Sequence, residues 1–112
     1  MTKRPVPRAV MDDWFAPATN TPEIRRDLAK YLTSTTPKAT LLAWADRAAD
    51  FTGPVLIAWA REDKVMRVAH GRRLAELFPN ARLVEIDDAY TLVPQDQPQV
   101  LAAAIRTFLE ET

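Results

Sequence analysis

One serine, Ser34, one histidine, His70, and a spread of carboxylates are the side chains here that could combine into a nucleophile, a base and an orienting acid. In such a triad the imidazole takes the hydroxyl proton and the carboxylate holds the imidazole in place. Only one serine and one histidine are available, and their surroundings speak against the pairing. Ser34 lies in Thr33-Ser34-Thr35-Thr36, just before Pro37 and without a flanking glycine. A strained nucleophile elbow takes G-x-S-x-G between strand and helix. The ordinary preference of serine and threonine assigns Ser34 to a helix end or loop. Gly53 and Gly71 are too few glycines for a phosphate-cradling loop. A lone histidine without cysteine argues against zinc. No spacing implies a metal or an organic cofactor.

The composition narrows the class further. With 112 residues, 47% apolar and 27% charged, the chain has the make-up of one globular domain with a modest core. Lysine plus arginine and aspartate plus glutamate each total 15, so no net field draws it toward nucleic acid or anionic lipid. No apolar run reaches the ~18 to 20 residues that a membrane span needs, and MTKRPVPRAV has no apolar signal core. A cytoplasmic location is the expectation. The absence of cysteine removes disulfides and thiolate chemistry.

The elements that must position any site are punctuated by proline. A short helix is expected around Val10 to Phe15, broken at Ala16-Pro17. Thr21-Pro22-Glu23 supplies an N-cap hydroxyl, a first-turn proline and an acid, opening a helix with Ile24, Leu28, Tyr31 and Leu32 on one side. Thr36-Pro37 opens another, carrying Leu41, Leu42, Ala45 and Ala48 and ending near Asp50. Beyond Gly53-Pro54 the helical period gives way to Val55-Leu56-Ile57-Ala58-Trp59-Ala60, a continuous apolar run that predicts a buried parallel strand. A charged loop, a helix over 69–78 and a strand over 82–86 complete a βαβ unit. A last helix from about Gln99 presents Val100, Leu101, Ala104, Ile105, Phe108 and Leu109 as a wide face suited to a sheet.

These parts conflict with the chain length. Two buried parallel strands need lateral neighbours and cover on both faces. Either further strands lie outside this sequence or copies of the chain pair through the exposed strand edge as a homo-oligomer.

The stretch from Gly53 through Arg61-Glu62-Asp63, then Leu74-Ala75-Glu76-Leu77-Phe78-Pro79-Asn80 and Arg82-Leu83-Val84-Glu85-Ile86, with Gln97-Pro98 before the closing helix, resembles the last third of the α/β-hydrolase superfamily. The resemblance covers 51–109. It implies an α/β fold class, the C-terminal portion of an α/β-hydrolase fold. Residues 51–112 would be a βαβα unit with parallel strands, preceded by a cap-like helical segment over 1–50. The family sheet has about eight strands, of which this chain would hold the last two. The implied parent is a hydrolase of small apolar ester, epoxide or halide-type substrates, with the chain itself truncated and inactive. The alternative is a non-catalytic module that assembles with itself or another subunit through an open sheet edge.

Carried over by residue, Asp63 in W-x-x-x-D falls at the triad-acid position, its plain alternative being a solvated loop carboxylate. The loop expected to carry the family histidine reads Asp87-Asp88-Ala89-Tyr90-Thr91-Leu92, which sets Tyr90 at that position. A phenol is a poor general base at neutral pH. The structural alternative for Tyr90 is a packing residue with its hydroxyl bonded to Asp63 or a backbone carbonyl. His70 is expected at a helix start or on the surface. Trp14, Trp44 and Trp59 are read as packing residues, and Arg25-Arg26 and Arg72-Arg73 as solvated helix faces. The nucleophile and oxyanion loop belong to the family's first two thirds.

Overall fold

The computed structural model describes residues 1–112. The chain divides into two compact units, one of Val6–Leu41 and one of Met1–Pro5 with Leu42–Thr112. The boundary between the two units falls after Leu41, within a helix.

In the Val6–Leu41 unit, α1 (Arg8–Asn20) is followed by α2 (Pro22–Thr33). Contrary to the expected break, α1 runs through Pro17. Proline removes one N–H from the ladder, but its carbonyl still accepts, and the Thr21 N–H reaches it at 3.0 Å. Thr21 does stand at the N-cap of α2, yet its side chain makes no capping hydrogen bond. Arg25 is more than a solvated cation: its Nη1 donates to the carbonyls of Ala18 and Thr19 at 3.0 and 2.7 Å, satisfying acceptors that the end of α1 leaves open. No residue of either helix is buried, and Tyr31 is 75% exposed.

The helix α3 (Lys38–Ala48) begins on the Pro37 carbonyl, which accepts from the Thr40 and Leu41 N–H groups at 3.0 and 3.2 Å. Beyond it lies the α/β part. Strand β1 (Val55–Ala60) occupies the six residues of the apolar run and pairs in parallel with β2 (Ala81–Ile86) in a sheet of two strands. The register sets Val55 opposite Ala81 and Ala60 opposite Ile86. The crossover is α4 (Val68–Leu77), and α6 (Pro98–Glu111) closes the chain after a single helical turn, α5 (Val93–Asp96), which periodicity could not reveal at four residues.

Side chains alternate between sheet faces, and the two faces receive different helices. Ala58, Ala60, Val84 and Ile86 meet Ala89, Val93 and Leu101, so α6 covers that side. Trp59 and Glu85 point the other way, toward Gly71 and Arg72 of α4. A Cβ on Gly71 would come within 2.9 to 3.0 Å of the Trp59 ring, so a glycine is what lets α4 approach the indole. The core is small: Ile57, Ala60, Ile86, Ala89 and Val93 are its buried apolar residues. Full burial of Ile86 contributes about 2 kcal/mol.

The face foreseen for α6 is only half used. Leu101, Ala104 and Phe108 are half-buried, whereas Val100, Ile105 and Leu109 are exposed, Leu109 by 66%. Of the tryptophans, Trp59 is half-buried, while Trp14 and Trp44 are exposed rather than packed in a core. A wide apolar face needs a broad sheet beneath it, and two strands support one stripe. No helix is long and apolar enough to cross a membrane.

Candidate active site

The carboxyl ends of β1 and β2 lie side by side, so the loops that leave them meet. From β1 the chain passes through Arg61 and Glu62 to Asp63, whose Oδ1 accepts the Val65 and Met66 N–H groups at 2.8 and 2.9 Å. Such bonding of an aspartate to its own backbone two and three residues on fixes a tight turn. Trp59 Nε1 closes the turn from behind, donating to the Met66 carbonyl at 2.8 Å. The acid therefore has a set direction.

That direction is toward the loop after β2. Thr91 Oγ1 donates to Asp63 Oδ1 at 2.8 Å. Burial pushes the Asp63 carboxyl up, but the Met66 N–H, the Thr91 hydroxyl and the Val65 N–H together hold it below the usual carboxylate range. The group is ready to accept hydrogen bonds as an anion at neutral pH. A hollow of about 170 Å³ opens beside it, lined by Trp59, Ala60, Asp63, Met66, Thr91 and Val93.

Tyr90 is in the same loop but engages differently. Its backbone N–H donates to Asp96 Oδ2 at 2.9 Å, and its ring is flanked by Lys64 Nζ at 4.6 Å and Lys3 Nζ at 5.8 Å from the centroid. The hydroxyl that meets Asp63 is that of Thr91. The neighbouring Asp88 has φ 56°, a left-handed conformation that aspartate tolerates better than most residues. Its N–H donates to Glu62 Oε1 at 3.1 Å, and its carboxylate pairs with Arg4 and, at 3.0 Å, with Lys3. The hydrogen bond from Lys3 is the main cause that holds both Glu62 and Asp88 below their ordinary range.

Asp96 is the residue that sequence reasoning missed. Only 4% exposed, it accepts the N–H groups of Lys3, Arg4 and Tyr90. Burial pushes this carboxyl up, and the three backbone donors outweigh it, so it too is lowered. An aspartate two residues before a proline offered no local signal of burial.

The remaining candidates lie elsewhere. Ser34 is the C-cap of α2, its hydroxyl donating to the Tyr31 carbonyl at 2.8 Å, as a helix-end serine does. His70 is exposed in the first turn of α4. It borders a larger hollow of about 400 Å³ with Leu42, Ala45, Arg73, Leu74 and Leu77, away from Asp63. Arg72 pairs with Glu85, and Arg26 with Asp27. No group of three or more His, Cys, Asp or Glu side chains is placed to hold a metal ion.

A parallel β-α-β unit with an aspartate fixed at the carboxyl end of one strand and facing the loop after the next is an arrangement of the alpha/beta hydrolase fold. Residues 10–96 match that family, and the chain belongs to it. Among individual proteins, it is similar to one named uncharacterized hydrolase YugF from Bacillus subtilis (strain 168), 30% identical over 57 residues. The alignment covers 51% of this chain and 21% of that protein, so the chain spans only about a fifth of that relative.

Proposed function

We propose that these 112 residues supply the acid-bearing, C-terminal part of a hydrolase-type site, with Asp63 as the triad-position acid and the Tyr90-Thr91 loop standing where the family's histidine would lie. The observation that carries this reading is the hydrogen bond from Thr91 to Asp63, because an acid of this class acts by orienting a partner from that loop. Neither a phenol nor a threonine hydroxyl is an effective general base at neutral pH. The exposed helices of the first 50 residues fit a cap-like segment, and residues 51–112 fit the last part of a sheet whose other strands come from outside this sequence. Small apolar esters, epoxides or halides are the substrate class for such a full-length parent.

On this reading the 112-residue chain alone does not turn over ester. Without an elbow nucleophile or aimed N–H donors, it lacks a stabilisation of about 3 kcal/mol per oxyanion donor. Hydrolysis of p-nitrophenyl acetate is measured with the purified chain and with Asp63→Asn. Turnover above buffer that disappears in the Asp63→Asn chain sinks the inactive reading, and turnover that persists unchanged in Asp63→Asn sinks both that reading and the site assignment.

A second reading is favoured by the two open strand edges and the exposed Val100, Ile105 and Leu109 stripe. There the chain is a non-catalytic module that assembles with itself through the sheet edge. Size-exclusion chromatography across a dilution series separates a concentration-dependent oligomer from a monomer.

A further inference from the structure

The residues on either side of Thr91 are tied to the first four residues of the chain, Leu92 directly and Tyr90 through the shared carboxylate of Asp96. On one side, the Tyr90 N–H bonds Asp96 Oδ2 at 2.9 Å, and the same carboxylate takes the Lys3 N–H at 2.7 and 2.9 Å and the Arg4 N–H at 3.0 Å. On the other side, the Leu92 N–H donates to the Met1 carbonyl at 3.1 Å. The segment also reaches the turn that holds Asp63, where Lys3 Nζ bonds Glu62 at 2.7 Å and Asp88 at 3.0 Å. So a stretch more than 90 residues away in sequence from Asp96 touches both loops that bring Asp63 and Thr91 together.

We propose that residues 1–4 are a positioning strap, anchored on the buried Asp96 carboxylate, that holds Thr91 in place against Asp63. Lys3 and Arg4 reach the anchor carboxylate with their backbone N–H groups, Arg4 Nη1 also donates to the Asp96 carbonyl, and Lys3 Nζ ties the strap to Glu62 and Asp88. A buried carboxylate stripped of such donors is costly, which makes the anchored state strongly preferred. Asp96 and Lys3 are positioning residues, since neither touches Asp63. The inference concerns the geometry of the Asp63 and Thr91 contact and stands whether or not that contact serves hydrolysis.

The test uses the full 112-residue chain and three variants. Asp96→Asn weakens the anchor, Lys3→Pro removes both the Lys3 N–H and the Nζ contacts with Glu62 and Asp88, and Lys3→Ala removes the Nζ contacts while keeping that N–H. Amide exchange is read by NMR at Tyr90, Leu92 and Arg61, whose N–H bonds the Ile86 carbonyl at the end of the sheet. Carbon-detected titration follows the Asp63 carboxyl, with Thr91→Val as the reference for a lost donor. Leu92 exchange is expected to rise about tenfold or more in Asp96→Asn and Lys3→Pro, with Arg61 unchanged. The Asp63 titration is expected to move upward toward that of Thr91→Val, and Lys3→Ala to leave the Leu92 rate as it was. The strap is overturned if Leu92 keeps its rate in both weakened variants, if Asp63 titrates as before, or if Arg61 speeds up as much as Leu92 in both. Absence of esterase activity in every variant bears on the hydrolase reading alone.

Discussion

Thr91 Oγ1 and Asp63 Oδ1 are 2.8 Å apart, joining the loop after one strand to the turn after its neighbour. Replacing Thr91 by valine keeps the shape and deletes the donor. Asp63 then titrates closer to an ordinary aspartate, and urea unfolding shows a loss of about 1 kcal/mol, the usual net worth of one hydrogen bond. An unchanged Asp63 titration contradicts the geometry.

The two loop positions can be told apart by grafting an imidazole at each. Thr91→His sets the ring against the Asp63 carboxylate, which favours the charged imidazolium. Its titration is expected above the ordinary value of about 6.5, and the stabilisation it adds is present below that value and lost as pH rises through the raised one. Tyr90→His, away from Asp63, is expected to lack that effect. Proton NMR of the two variants decides, and equal midpoints count against the difference between the positions.

Gly71 and Trp59 offer a packing test. Alanine at 71 gains about 1 kcal/mol of helix propensity. The added methyl meets the indole at 2.9 to 3.0 Å, and overpacking of this kind costs about 1 to 3 kcal/mol. Net destabilisation of about 1 kcal/mol with a shifted Trp59 environment is expected from urea unfolding and near-ultraviolet dichroism. A more stable Gly71→Ala chain refutes the close approach.

Acid should loosen the fold through its lowered carboxylates. Asp63 and Asp96 are both held below their ordinary range in the folded chain. Their contribution is therefore complete above the unfolded value of about 3.9 and is lost as pH falls through the folded ones. The urea midpoint should fall between neutral pH and pH of about 3, and less steeply in Asp96→Asn. Parallel curves for the two chains count against Asp96 as a source of the acid sensitivity.

The sheet-covering helix yields one more outcome. Ile105→Glu with Leu109→Glu places charge on the exposed stripe of α6 and leaves the half-buried Leu101, Ala104 and Phe108 in place. Binding of a hydrophobic dye should drop while the far-ultraviolet dichroism holds. Dye binding equal to that of the parent chain means that the stripe is not the sticky surface.

What was legible in the sequence followed the strength of its local pattern. Six consecutive apolar residues after Gly53-Pro54 announced β1 with the bounds that it has, and Pro98 marked the start of α6 to within a residue. Asp63 stood out only through the family resemblance of its W-x-x-x-D turn; its spacing alone reads equally as a loop carboxylate. The passage of α1 through Pro17 was hidden, since a proline reads as a break wherever the surrounding helix formers are not weighed against it. The role of Asp96 and the docking of Lys3 and Arg4 were hidden more deeply. Backbone donors carry no residue identity, so a contact made with them across 90 residues leaves no mark in composition or period. The hydrogen bond from Thr91 to Asp63 was hidden as well, because a loop threonine carries no periodic signal of its partner.

The pairing of Ala60 with Ile86 also bears on how such a protein can be remade. Both loops depart from one rung, so the crossover between the strands can be lengthened, shortened or exchanged for another helix without altering where the two loops start. A slip of one residue along either strand would instead move a departure point by about 3.3 Å and turn its side chains over. Freedom to diversify therefore resides in the helix, and the rung is the part that must be inherited intact.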